Sequence, residues 1–85
     1  MITGVQIRSA RAAVGWSIEQ LAQKSGVSGR TIKRYEAFDG LPPSRTSSLV
    51  DIRSALEAAG IEFTGTPEDG PGIRLRTSRR LGNET

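Results

Sequence analysis

Arg30, Lys33 and Arg34 stand at i, i+3 and i+4, the spacing that gathers three cations on one side of a helix. Guanidinium and ammonium groups carry hydrogen-bond donors and no acceptors. Their chemistry is therefore recognition of anions and acceptor-rich edges rather than proton transfer. Ile32 and Tyr35 fall on the opposite side and read as the anchor of that helix. The rest of the inventory narrows the chemistry further. The chain has no histidine and no cysteine, which argues against zinc, haem, disulfides and imidazole-based catalysis. The carboxylates sit mostly on polar helix positions and in a turn, without a catalytic spacing. No catalytic residue, cofactor or metal ligand is assigned, and an enzyme is not expected.

Four helices and an alternating segment must position those cations. Thr3 and Gln6 form a capping box that opens a helix through about Ala13, with Ile7, Ala10, Arg11 and Val14 inward and Gly15 ending it. Ser17 and Gln20 repeat the device for a second helix to about Ser25, where Leu21 and Ala22 face inward and Gly26 supplies the exit. Val27 precedes a third N-cap, Ser28, and the third helix runs from Gly29 to about Ala37. "DGLPPSR", residues 39–45, is a loop. Thr46 or Ser47 is expected to cap a longer helix to Ala59, with Leu49, Ile52 and Leu56 as its inner stripe. After Gly60 the period changes to two. "IEFTG" and "GIRLR" flank the turn-forming "TPEDGP", which predicts a β-hairpin or two short strands. The closing "TSRRLGNET", residues 77–85, lacks periodicity and reads as a disordered tail.

The chain is 85 residues long, enough for one small core that must draw on its four aromatics, Trp16, Tyr35, Phe38 and Phe63. The net charge of +3 is unevenly spread. Residues 1–36 hold six basic and two acidic side chains, residues 37–72 two and six, and residues 73–85 four and one. A basic first part beside an acidic middle suits a face for a polyanion. No apolar run is long enough to span a membrane, and the N-terminus lacks the layout of a secretory signal. The expectation is a soluble, cytoplasmic protein.

Two short helices joined through glycine, the second basic outside and apolar inside, form a helix-turn-helix pattern. Ala22 is small where the helices cross, and Gly26 accepts the turn. Val27, Ile32 and Tyr35 hold the second helix so that its outer face can enter a major groove roughly 12 Å wide. Residues 7–36, and above all "EQLAQKSGVSGRTIKRYE", resemble the phage repressor/Cro family of helix-turn-helix DNA-binding domains, also called the XRE family. "LEAAGIEFTGTPEDGPGIRLR" is similar to the ends of small bacterial and prophage regulators of that family. The resemblance implies a mostly α, four-helix, lambda-repressor-like domain with a short C-terminal β-hairpin or strand. Its third helix, at about 29–37, would read operator DNA, usually as a homodimer on a palindromic site. By position, Gly29, Arg30, Lys33 and Arg34 fall on base-facing places, and Thr31 lies near the groove. Ser17 and Ser28 lie at helix N-termini that approach phosphates. Arg11 and Glu36 match a structural ion pair between the first and third helices. Many relatives carry glutamine where this chain has Ile18, and others a long side chain at Gly29, so the first base contact is missing or made by Arg30.

The resulting domain plan is a helix-turn-helix unit over 1–60, a β extension over 61–76 and the tail. Ile61, Phe63, Ile73 and Leu75 are assigned to dimerisation, because an isolated hairpin is marginal and open edges invite pairing. The competing role for them is to cover the domain's own core. Arg74, Arg76, Arg79 and Arg80 either add phosphate contacts or stay solvated. The expected function is a transcriptional regulator, a repressor acting by occlusion. The alternative is an antitoxin or protein–protein interaction module, with a toxin or other protein as partner.

Overall fold

A computed structural model describes residues 2–43 and 45–76. Thr3 starts α1 (Gly4–Val14) through the capping box: Gln6 N–H donates to Thr3 Oγ1 at 3.1 Å, and Thr3 N–H to Gln6 Oε1 at 2.8 Å. Gly15 ends it in the left-handed region, φ 75°. Ser17 and Gln20 repeat the box at α2 (Ile18–Ser25), closed by Gly26 at φ 78°. Ser28 caps α3 (Gly29–Glu36), one residue shorter than expected because Ala37 is already its C-cap.

α4 (Thr46–Ala58) corrects the sequence reading at its start. The N-cap position belongs to Arg45, which has no side-chain cap bond, and Thr46 already lies inside the helix. Arg45 is extended, and its carbonyl accepts the first intrahelical bond, from Leu49 N–H at 3.2 Å. The backbone has thus turned before either expected cap is reached.

β1 (Ile61–Thr66) and β2 (Asp69–Leu75) form a two-stranded antiparallel sheet. The expected six-residue turn contracts to Pro67–Glu68, since Thr66 pairs with Asp69. An irregularity between Thr64 and Thr66 makes this possible. Gly65 carries it at φ 72°, with no space for a Cβ against the Gly70 carbonyl.

One core joins helices and hairpin: Ile2, Ile7, Ala10, Leu21, Val27, Ile32, Tyr35, Leu49, Ile52, Leu56 and Ile61. Each large side chain buried there contributes roughly 1.5–3 kcal/mol. Trp16 and Phe63 pack partly against this core, whereas Phe38 is 39% exposed and does not contribute as expected of an aromatic. The hairpin lies against α1 and α4. Gln6 fastens it, its Nε2 donating to Thr64 O at 3.2 Å and to Gly72 O at 2.9 Å. Gly4 lets the start of α1 press on the end of α3, where a Cβ would overlap the carbonyl oxygens of Tyr35 and Phe38. Among the described residues no helix is long and apolar enough to cross a membrane. The expected disordered tail, with Arg79 and Arg80, lies outside the described residues.

Candidate functional site

α3 is gripped from within by α1. Arg11 Nε donates to Glu36 Oε2 at 2.8 Å and Nη2 to Oε1 at 3.0 Å, a two-pronged pair whose carboxylate side chain is only 8% exposed. A third bond runs from Arg11 Nη1 to the Trp16 carbonyl at 3.0 Å. The hydrogen bond with Glu36 raises the Arg11 pKa above its ordinary value, against the opposing effect of burial. The guanidinium therefore stays charged. Arg8 adds a bond from Nη1 to the Glu36 carbonyl and one from Nη2 to Asp39 at 3.2 Å. The expected ion pair is present and locks α1 to the C-terminal end of α3.

These contacts sort the basic residues of the first part of the chain. Arg8 and Arg11 are spent on the α1–α3 joint, and Lys24 Nζ lies 5.9 Å from the Trp16 ring centroid. Arg30, Lys33 and Arg34 are exposed on α3, and none of them forms an ion pair among the described residues. Arg34 lies 6.0 Å from the centroid of Tyr35, which is buried with Ile32 on the inner face. Like charges held this close on a short helix repel each other, so an external polyanion would relieve them.

The remaining predicted site residues gather at the leading ends of α2 and α3. Ser17 is exposed and accepts from Gln20 N–H at 3.1 Å. Ser28 is exposed too; it accepts from Thr31 N–H at 3.2 Å and donates to Thr31 Oγ1 at 3.0 Å. The two helix starts adjoin, because Ile18 lies directly over Gly29. Ser17 and Ser28 act as caps in this arrangement, and the other first-turn N–H groups have no intrahelical partner.

A groove of about 450 Å³ beside α3 was missed by sequence reasoning. Thr31, Arg34, Tyr35, Pro43, Arg45 and Ser48 line it. Tyr35 is 2% exposed, and its hydroxyl accepts from Arg45 N–H at 3.4 Å. The first turn of α4, which has no side-chain cap, adjoins this groove, and two arginines are among the lining residues. That combination suits an anion such as a phosphate oxygen. The absent cap before Thr46 is a signal only in hindsight, since Thr and Ser there satisfy the capping rule.

The four residues assigned to dimerisation do not share one exposure. Ile61↔Leu75 and Phe63↔Ile73 face each other across the hairpin. Ile61 is 2% exposed inside its own core, and Phe63 and Ile73 pack against that core. Leu75 alone is exposed, at 39%. The burial of Ile61 corrects its assignment to a contact surface: the alternation that marks a strand face does not say which body covers it. Arg74 pairs with Glu62 at 3.6 Å on the other face.

Residues 3–63 match the family described as a helix-turn-helix domain. The match covers all four helices and ends within β1. No curated protein matches the chain.

Proposed function

The chain belongs to the helix-turn-helix domain family, and from that premise we propose that it is a sequence-specific DNA-binding regulator of the phage repressor/Cro type. α3 is its recognition helix. Arg30 and Arg34 donate to guanine O6 and N7, worth roughly 1–3 kcal/mol of discrimination for a good bidentate contact. Lys33, the helix starts at Ser17 and Ser28, and Arg45 in the groove beside α3 hold phosphates, which fix register without reading sequence. The protein works in the cytoplasm, without catalysis, as a homodimer that represses by occluding an operator.

One observation carries this reading. The cations of α1 are consumed by internal contacts, whereas the three on α3 stay exposed and without ion pairs among the described residues. A merely solubilising face gives no reason for that division.

Selection of bound DNA from a random library tests it, comparing wild type with Arg30→Ala/Arg34→Ala. The expected result is an enriched inverted repeat with half-sites about 34 Å apart, lost in a variant that keeps its circular dichroism. No enrichment, or enrichment untouched by the substitutions, would refute the reading and leave partner-protein binding as the leading function.

A further inference from the structure

Gly29 opens α3, and the space where its side chain would begin is bordered by another helix. A Cβ built there would stand 3.3 Å from the Cγ2 methyl of Ile18, the first residue of α2. Both residues are partly exposed. An aliphatic side chain from α2 therefore flanks the leading end of α3. The hydroxyls beside it are engaged with each other and with the backbone, through the Ser28–Thr31 bonds at 3.0 and 3.2 Å. With residue 29 bare and those hydroxyls paired, this corner offers methyl groups and backbone, flanked by the exposed Arg30.

We infer that Ile18 and the bare backbone of Gly29 form an apolar notch that takes the C5 methyl of a thymine. The inference rests on the DNA-reading role of α3 proposed above. Among the four bases only thymine presents a methyl in the major groove. The N-terminal residues of a recognition helix are the ones that reach base edges. A glycine at the first of them brings backbone close to the base, since no side chain intervenes. Ile18 is then a specificity residue supplied by α2, and Gly29 contributes space rather than a contact. The departures at positions 18 and 29 become one feature, because a larger residue 29 would have to displace the Ile18 methyl.

Each thymine of the site selected above is replaced singly by deoxyuridine, which removes only the methyl. Affinity is read by fluorescence anisotropy for wild type, Ile18→Val, Ile18→Ala, Gly29→Ala and Thr31→Ser. One position per half-site should lose about fourfold in wild type, the equivalent of about 0.8 kcal/mol for one methyl-sized group. Ile18→Val can keep the Cγ2 methyl over Gly29 and should keep the penalty. Ile18→Ala, which removes one wall of the notch, and Gly29→Ala, which fills it, should both abolish the penalty. Alanine favours helix at position 29, so that variant decides if Ile18→Ala does not fold. A wild-type protein indifferent to every deoxyuridine overturns the inference. A penalty that survives at position 29 or 18 but vanishes in Thr31→Ser assigns the methyl to Thr31 and overturns it too. Failure to select any site refutes the DNA-reading role itself, and so is told apart from failure of the notch.

Discussion

Arg11→Ala tests the joint that holds α3 in place. It removes two hydrogen bonds to Glu36, at 2.8 and 3.0 Å, and one to the Trp16 carbonyl at 3.0 Å. A carboxylate only 8% exposed is left without its cation. Breaking a buried pair costs about 3–5 kcal/mol. Arg11 itself is 23% exposed, so water reaches the vacated site, and the expected loss lies at the low end, about 3 kcal/mol. For a domain of this size that lowers Tm by about 12–24 °C. Trp16 is the chain's single tryptophan and packs against the core, so its fluorescence during heating and urea titration reads the transition. Arg11→Met/Glu36→Leu should recover much of the loss, because it removes both charges from a site that desolvates them. A fall below about 4 °C would place the pair among exposed ion pairs, worth at most about 1 kcal/mol, and refute the reasoning.

Three further outcomes are expected. Gly4→Ala should cost about 3 kcal/mol in urea denaturation, since its Cβ would meet backbone oxygens of Tyr35 and Phe38 rather than a yielding side chain; an unchanged midpoint would show that α1 docks elsewhere. Gln6→Ala should cost about 2–3 kcal/mol and speed hydrogen exchange of the hairpin amides, because Thr3 N–H, Thr64 O and Gly72 O all lose a partner; unaltered hairpin protection would contradict the tether. Arg45→Ala should weaken binding to all DNA sequences alike and reduce the salt slope by about 0.9 for each phosphate lost. A slope equal to wild type would remove the groove beside α3 from the interface.

Local rules settled much of this molecule. Capping boxes at Thr3 and Ser17 and left-handed glycines at 15 and 26 mark helix ends within a turn of chain, so the first two helices were readable to within a residue, α1 running to Val14 rather than Ala13. The same holds for the two faces of α3, because helical spacing alone separates Ile32 and Tyr35 from Arg30, Lys33 and Arg34. The start of α4 was not readable, since Thr46 and Ser47 satisfy a capping preference that the preceding loop overrides. Nor was the hairpin turn, where two positive-φ glycines lengthen the strands.

What only tertiary structure decided is which body covers each face and which cation is already engaged. Periodicity puts Ile61, Phe63, Ile73 and Leu75 on one side of a hairpin, but burial against α1 and α4 depends on chain segments far away in sequence. Ile2, Gly4 and Gln6 look like the ordinary start of a helix; their roles in core, close approach and hairpin tether exist only once distant backbone arrives. Ile18 and Gly29 belong to different helices, and only the turn between them makes their sizes one constraint. Spacing along a chain encodes a helix's own faces, whereas contact between faces is set by how the elements pack.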